Sequence, residues 1–415
     1  MSKNEKTALM PRLRFPEFVS ADEWQEYTLD EIADRITEKV GDRQLTTLSI
    51  SAGAGFISQA EKFSRDISGK QYKNYILLRK GDFSFNKGNS KKYPQGCIYE
   101  LNEYDEAAVP NAFISFRFNK NYVSDFYKGY FESNFHGKQL MKFITSGARM
   151  DGLLNINPTD FFSIVLPTPK DRAEQQKIAD CLSSLDDLIA AEDKKLEALK
   201  AHKKGLMQKL FPTEGKAVPE IRFAGYTGNW EQRKYSDLIN LVSGQDFEPS
   251  DYNELGIGTP YMTGASCIVK GETIVNRWTE KPKCVAYQGD VLLVCKGSGY
   301  GTLARLAQKR AHIARQFMAL QNLTALDKKF NYYLATSVVE NIKKDARGLI
   351  VGIARDSVLQ QDVMIPSLAE QTAIGTFLCN LDEVIAVQAD KIEALRLHKK
   401  GLMQGLFPSV EEVDE

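Results

Sequence analysis

The segment "HKKGLMQKLFP" at residues 202–212 returns as "HKKGLMQGLFP" at residues 398–408. One residue in eleven differs, and the two copies are 196 residues apart. When the alignment is extended backwards at this offset, residues 173–212 match residues 369–408 at 23 of 40 positions. Self-similarity of this extent at a domain-sized period indicates an internal duplication.

Both copies have the apolar periodicity of a long helix. Apolar residues recur at steps of four and three, which is the a/d seam of a coiled coil. Polar residues interrupt the seam at Glu192 and Gln388 and at Lys203 and Lys399. A helix of about 36 residues is roughly 54 Å long. Such a seam must be buried, and the nearest partner is the other copy in the same chain. The seam positions of the first copy are Ile178, Leu182, Leu185, Ile189, Leu196, Leu199, Leu206 and Leu210, and those of the second lie 196 residues further on.

A second repeated segment precedes each helix. "PRLRFPEF" begins at Pro11 and is followed by Trp24, and "PEIRFAGY" begins at Pro219 and is followed by Trp230. Between these ends the units diverge, and short strand-like runs alternate with helical stretches, so we expect two α+β globules with related folds and different surfaces. The predicted boundaries are 1–168 for the first globule and its N-terminal segment, 169–212 for the central helix, 213–218 for a polar linker, 219–365 for the second globule, 366–408 for the distal helix and 409–415 for an acidic tail.

The composition excludes several classes of protein. The chain is 43% hydrophobic and 26% charged, with a formal net charge of zero, which argues against a broadly cationic nucleic-acid binder. It has no run of eighteen apolar residues and no N-terminal apolar stretch, so we expect neither a membrane span nor a secretory signal. The six cysteines form no CxxC pair, which favours reduced thiols in a cytoplasmic protein over a zinc site.

Positive charge is nevertheless concentrated in two windows at equivalent places in the repeat. Residues 61–92 and residues 270–315 each hold nine Lys or Arg against three Asp or Glu. In each window a Gly-Asp turn precedes a short strand and then a loop rich in glycine and lysine. Two such patches in a neutral chain are typical of two polyanion sites, and the alternative is a solvated basic face. The candidate DNA-binding residues are Lys87, Asn89, Lys91, Lys92, Lys296, Ser298, Tyr300 and Arg305.

Motifs for catalysis are absent from the sequence. There is no GxxxxGK[ST] loop, no HExxH, no GxSxG and no Asn/Asp-Pro-Pro-Tyr/Phe stretch, so the chain is expected to bind rather than to transform its ligand. The run Gly297-Ser298-Gly299-Tyr300-Gly301 could be a cofactor loop. The equivalent stretch of the first unit is "KGNSKK", which favours a tight recognition or structural turn instead.

The order of these elements resembles the specificity subunit of a type I restriction–modification system. The resemblance covers the whole chain and rests on "LPTPKDRAEQQKIADCLSSLD", "MIPSLAEQTAIGTFLCNLD" and the two "KKGLMQ-LFP" tails. It implies that each globule recognises one half of a split site in double-stranded DNA. It also implies that the two helices form an antiparallel coiled coil that holds the globules apart.

The same resemblance implies partners that carry the chemistry. Two modification subunits would methylate adenines with S-adenosylmethionine, and ATP- and Mg-dependent restriction subunits would complete an antiviral nuclease. No cofactor or metal is then expected in this chain. The helix tails are candidates for docking the modification subunits, through Leu206, Phe211, Leu402 and Phe407, and the alternative is burial where helix meets globule. Two other functions stay open: a self-contained S-adenosylmethionine-dependent methyltransferase, which would bind that cofactor alone, and a coiled-coil scaffold without a role on DNA.

Overall fold

The chain is divided into two compact units in a computed structural model. The units are Met1–Glu192 with Lys391–Glu415, and Asp193–Asp390. Each unit therefore combines one globule with one half of each long helix. The structure describes residues 9–65, 69–88, 93–144, 154–213, 215–297, 299–345 and 352–408.

The first unit is built around a four-stranded antiparallel sheet. The strands described in this unit are β1 (Gln25–Thr28), β2 (Ala33–Arg35), β3 (Leu48–Ser51), β4 (Gly55–Ser58), β5 (Ile76–Arg79), β6 (Phe83–Asn86), β7 (Cys97–Glu100), β8 (Glu106–Val109), β9 (Ile114–Phe118) and β10 (Val165–Thr168). The helices are α1 (Leu29–Ile32), α2 (Gln59–Phe63), α3 (Ser124–Glu132), α4 (Phe135–Leu140) and α5 (Pro158–Phe162), followed by the long helix α6 (Arg172–Leu210). The sheet has the order β2-β9-β6-β7.

The core of this unit follows from alternation along the strands. Phe83 and Phe85 of β6 point to the same face as Phe116 of β9 and are fully buried in one aromatic cluster. Ser84 points to the other face, where its hydroxyl lies 2.8 Å from that of Ser115. Because successive side chains of a strand point to opposite faces, one strand supplies both layers.

The second unit repeats this plan. The strands described in it are β11 (Glu231–Lys234), β12 (Ile239–Ser243), β13 (Thr259–Met262), β14 (Ile268–Val269), β15 (Glu272–Thr273), β16 (Trp278–Thr279), β17 (Val285–Tyr287), β18 (Val291–Val294), β19 (Leu303–Arg305), β20 (Arg310–Ile313), β21 (Phe317–Asn322) and β22 (Asp362–Ile365). The helices are α7 (Lys328–Asp345), α8 (Arg355–Leu359) and the long helix α9 (Leu368–Leu406). Its main sheet has the order β12-β21-β18-β19, which matches β2-β9-β6-β7 strand for strand. The prediction of two related α+β globules is confirmed.

The two long helices run antiparallel within each unit. In the first unit Lys399 contacts Asp186 at 2.6 Å and Lys391 contacts Glu192 at 2.5 Å. Residue numbers therefore rise along one helix in the direction in which they fall along the other. In the second unit Lys203 forms an ion pair with Asp382. The predicted seam positions are all buried or half-buried. The seam gap at each repeated lysine is therefore filled by an ion pair that crosses from one helix to the other.

A buried ion pair ties the start of each unit to the start of its long helix. Arg14 donates two hydrogen bonds of 2.7 Å to the Glu174 carboxylate, whose side chain is 1% exposed. The indole of Trp24 donates to the same carboxylate at 3.2 Å. In the second unit Arg222 forms the same two bonds with Glu370, at 2.8 and 2.7 Å. This contact explains the repeated "RF" and "AEQ" segments, since each arginine needs its glutamate.

The glutamine after each glutamate closes the other side of the helix start. Gln175 accepts from the backbone N–H of Val123 at 2.9 Å and donates to the carbonyl of Pro169. Gln371 accepts from the N–H of Asp327 and donates to the carbonyl of Pro366. Each glutamine thus bonds the backbone of the globule and that of the strand leading into the helix.

We expect Arg14→Leu to destabilise the first unit by about 3–5 kcal/mol, because it leaves the Glu174 carboxylate buried without its cation. The Arg14–Glu174 pair is almost fully buried, whereas the Lys177–Glu17 pair on the same helix is half-exposed. Lys177→Met is therefore the control, with an expected loss of about 0–1 kcal/mol. Hydrogen exchange of peptides from the first unit measures both changes. Equal, small losses in the two variants would contradict the assigned role.

A buried histidine makes the first unit sensitive to acid. His136 is 1% exposed, and its burial outweighs a single backbone contact with Gly96. The ring packs edge-on against Phe85 and Phe131. Burial lowers the pKa of His136 to about 4. The native unit therefore holds this histidine neutral at a pH where the unfolded chain already binds a proton.

Stability of the first unit is expected to fall as the pH drops below about 6.5, the pKa of histidine in an unfolded chain. The unfolded state then binds more protons than the native state, and the loss between pH 7 and pH 5 amounts to about 2 kcal/mol from His136 alone. His136→Leu should remove this part of the pH dependence. Urea unfolding of both chains at a series of pH values measures the difference. A constant stability difference between the two chains from pH 7 to pH 5 would contradict the assignment.

Candidate nucleic-acid interface

The predicted recognition loops follow equivalent strands. One loop follows β6 and the other follows β18, the third strand of each sheet. In the first unit the carbonyl of Lys87 accepts from the N–H of Leu154 at 2.9 Å. In the second unit the carbonyl of Cys295 accepts from Ile353 at 2.8 Å. Each loop is thus held at its base by a segment that returns from later in the chain.

The structure describes only part of the predicted residue set. Asn89, Lys91, Lys92 and Ser298 lie outside the described residues. Lys87 is half-buried at the end of its strand, and Lys296 is exposed beside a bridge to Gly352. Tyr300 is half-buried, with the Lys343 ammonium 5.3 Å from its ring centroid. Contact of these residues with DNA stays a prediction.

Arg305 is engaged inside its own unit. Its guanidinium lies 5.1 Å from the ring centroid of Tyr332 and donates to the thiol of Cys379 on α9. Burial opposes ionisation, but the hydrogen bond to the thiol and the electrostatic attraction of Cys379, Tyr333 and Tyr332 together outweigh it, so the pKa of Arg305 is raised. In this structure the Arg305 guanidinium packs against α9. The role predicted for Arg305 on DNA stays a prediction.

The glycine-rich run is a tight turn of the β18–β19 hairpin. Tyr300 donates its backbone N–H to Gly297, Gly301 to Val294 and Thr302 to Gly299. A Cβ on Gly299 would lie 2.6 Å from the Cβ of Ala265. These N–H groups are occupied within the chain, whereas a phosphate-binding loop needs them directed at the ligand.

The two basic windows are partly neutralised by acidic residues from outside them. Because these ion pairs lie at the surface, they add little stability but reduce the local positive charge. The contact with Lys281 lowers the pKa of Asp251, as a donated hydrogen bond favours the carboxylate. The pairs include Lys73 with Asp42, Arg79 with Glu38, Arg277 with Glu254, Lys281 with Asp251 and Arg315 with Asp246. The net positive charge on each folded surface is therefore smaller than the count of charged residues along its window suggests.

One protein-family model matches each of the two repeated units of the chain. The family model for the type I restriction modification DNA specificity domain covers residues 21–201 and 227–397. The chain belongs to this specificity-domain family. It is 27% identical over 355 residues to the putative type I restriction enzyme MjaX specificity subunit of Methanocaldococcus jannaschii, covering 83% of this chain and 81% of that protein.

Solved structures of the specificity family share the fold. The type I restriction–modification S subunit from M. genitalium aligns with a TM-score of 0.61 at 15% identity, over 97% of this chain and 100% of that one. A chain from a structural study of complex assembly and conformational transition in the type I R-M system aligns with a TM-score of 0.59 at 16% identity, over 93% and 97% of the two chains. At such identities the likeness establishes the architecture.

Sequence reasoning missed two further loops of this specificity-family chain at the same edge of the second sheet. One follows β12 and the other is the turn before β21. Gln245 donates its N–H to Ile313 at 3.0 Å, and Asp246 accepts from both the backbone and the guanidinium of Arg315. The charge count flagged Arg315 only as one of nine basic residues. Aligning the turns before β9 and β21 would have singled it out.

The two phenylalanines of the helix tails are buried within their own units, and their contact with a partner stays a prediction. Phe407 is 7% exposed and packs on Tyr130, with ring centroids 4.4 Å apart. Phe211 is 8% exposed and stacks on Phe330 at 5.3 Å. Burial where helix meets globule, the alternative interpretation, is what the structure shows for both rings. Leu206 and Leu402 pack partly buried against the same cores, and their contact with a partner stays a prediction. The two leucines are half-exposed.

The Phe407 ring fits closely against helix α3. A Cβ on Gly129 would lie 2.3 Å from the Phe407 ring, so helix α3 needs glycine at this contact. Neither a charge nor a cavity is tolerated well at such a site.

We expect Phe407→Ala to destabilise the first unit by roughly 3–5 kcal/mol and to leave the second unit unchanged, because a buried aromatic ring is lost. Phe211→Ala is the matched variant and should destabilise only the second unit. Hydrogen exchange resolved by peptide separates the two effects. A Phe407→Ala chain that exchanges like the wild type but no longer binds a modification subunit would instead support docking at this ring.

Proposed function

We propose that this specificity subunit directs a type I restriction–modification complex to a bipartite, asymmetric sequence in double-stranded DNA. The observation that supports the proposal is the repeat itself. Both units have one sheet order and place their candidate loops after the same strand, while the residues in those loops differ. A duplicated reader suits the repeating geometry of a duplex, and unlike surfaces suit two unlike half-sites.

Affinity for DNA would come from few charges on this chain. Lys87 and Lys296 stand at the bases of the two loops, where they could contact phosphates. Each phosphate contact releases a counterion and adds about one unit to the salt dependence of binding. Since the net charge of the chain is zero, further phosphate contacts would come from partner subunits.

The partners proposed are two modification subunits and, in the complete nuclease, restriction or translocase subunits. S-adenosylmethionine would bind the modification subunits, and ATP and Mg would bind the restriction subunits, in the cytoplasm that holds the host DNA. Within the residues described, no group of three His, Cys, Asp or Glu side chains could hold a metal ion. No helix in the same residues is both long and apolar enough to cross a bilayer.

The long helices would set the gap between the half-sites. Half-sites read from one face of a duplex lie roughly 34–36 Å apart. Each helix has 39 residues, or roughly 58 Å at 1.5 Å per residue, which is long enough for that spacing. The loops would then determine the sequence of each half-site, and the helices only the number of bases between them.

We expect a four-residue insertion after both Leu196 and Ile392 to lengthen this gap. These are equivalent seam positions, so the two helices grow together by roughly 6 Å, while the added rotation of about 400° keeps the seam within about 40°. At 3.4 Å per base pair the spacer should grow by between one and two base pairs. Sequencing of modified bases in DNA methylated by the chain and its modification subunits measures the spacer.

The same four residues inserted into the linker at 213–218 serve as the control, because they lengthen the chain but neither helix. That variant should keep the wild-type spacer. Active helix variants with the wild-type spacer would refute the proposal that the helices set the gap between the half-sites. If the wild-type complex leaves no bipartite methylation pattern, the proposed function itself fails.

A further inference from the structure

A tight turn occupies the same place in both globules, immediately before the second strand of each main sheet. In the first unit Phe113 donates its N–H to Pro110 at 3.1 Å, and in the second unit Phe317 donates to Ala314 at 2.8 Å. The flanking strands correspond, since β8 and β9 match β20 and β21. The segment Pro110-Asn111-Ala112-Phe113 is therefore equivalent to Ala314-Arg315-Gln316-Phe317.

The backbone of the second turn is fixed by three neighbouring segments. Ala314 donates to the carbonyl of Met262 at 2.9 Å, and Cys295 donates to the carbonyl of Gln316 at 2.7 Å. Gly244 donates to the carbonyl of Phe317, and a Cβ on Gly244 would lie 2.0 Å from the carbonyl oxygen of Ala314. These contacts hold the main chain of the turn and so define where the exposed side chains at its tip emerge.

The side chains at the tips differ between the units. Asn111 and Ala112 are exposed in the first, and Arg315 and Gln316 are exposed in the second. The Arg315 Nε lies 2.7 Å from an Asp246 carboxylate oxygen, while its side chain stays 73% exposed. The carboxylate thus orients the guanidinium and leaves its terminal N–H groups outward.

The side-chain amide of Gln316 occupies the space that a side chain at Gly264 would fill. A Cβ on Gly264 would lie 2.3 Å from the Gln316 Oε1, so any other residue at 264 would displace this amide. A Cβ on Gly297, the first glycine of the recognition loop after β18, would lie 4.0 Å from the same oxygen. The glutamine therefore belongs to the same edge as the exposed Lys296.

We propose that the two turns read bases: Gln316, with Arg315 beside it, in one half-site and Asn111 in the other. This inference rests on the proposed function and names side chains that specify sequence. Asparagine and glutamine can pair with adenine through N6 and N7, and arginine with guanine through O6 and N7. The first turn carries no positive charge, so any phosphate contact there would come from a neutral amide. Turns at the same place in both units with unlike side chains at their tips are what two unlike half-sites need.

The test compares methylated motifs produced by the full chain with its modification subunits, read by modified-base sequencing of host genomic DNA. Gln316→Ala should relax the preference at one position of one half-site by about tenfold to a hundredfold. Asn111→Ala should relax the other half-site only. Gln316→Glu keeps the shape but removes the amide donor, so its preference should move from adenine towards cytosine, whose N4 group donates.

A matched control and an exchange sharpen the result. Gln232→Ala removes an exposed glutamine from β11, which pairs with β22 outside the main sheet, and should leave the motif unchanged. Replacing Arg315→Asn together with Gln316→Ala gives the second turn the tip of the first and should change the sequence of one half-site without altering the spacer.

The outcomes separate this inference from the proposed function. Absence of bipartite methylation by the wild-type complex would refute the function and leave nothing for the turns to read. A bipartite wild-type motif that every turn variant preserves would overturn the inference alone. A uniform loss of methylation at all sites, with base preferences unchanged, would overturn it as well, because it would assign the turns to phosphate contact.

Discussion

The paired Arg14–Glu174 and Arg222–Glu370 contacts are the interaction on which both globules depend. A carboxylate 1% exposed is costly to bury, and only a cation with hydrogen bonds to both of its oxygens offsets that cost. Each arginine comes from the segment that opens a unit, and each glutamate from the first turn of a long helix. The pair fixes where the globule starts relative to the helix. Everything that the globule presents at its loop edge is positioned from that anchor.

Apart from this ion pair, the two units share their framework and differ in the residues at the loop edge. The helix starts, the lysine pairs in the seam and the sheet order are the same in both units. The residues at the loop edge are not. Substitution at an exposed turn costs little stability when the backbone is held by its neighbours, so recognition can change without disturbing the core. Two copies on one chain can therefore diverge in what they read while keeping the same supports.

The sequence predicted the parts of the structure that depend on period and repetition. The a/d spacing gave the long helices, and the offset of 196 gave the two units and their related folds. The contacts that depend on distant residues were less accessible. The acidic partners of Arg79 and Lys281 lie outside the basic windows, so a count along the chain could not include them. Arg305 reads as a free cation in sequence, but it faces α9, which lies more than sixty residues later. The recurrence of an aromatic residue at Phe211 and Phe407 does not distinguish burial from docking, since both favour an aromatic residue.

The division of the first unit between distant parts of the chain has a consequence for synthesis on the ribosome. The core of the first unit includes Met403, Leu406 and Phe407, and the N–H of Leu13 donates to the carbonyl of Gly405 at 2.8 Å. The core of the first unit therefore stays incomplete until the second unit has been synthesised. At ~5–20 residues per second the roughly 200 intervening residues take about 10–40 s. The second unit, whose residues are contiguous, can close first. A chain that stops before Met403 leaves part of the aromatic core of its first globule uncovered.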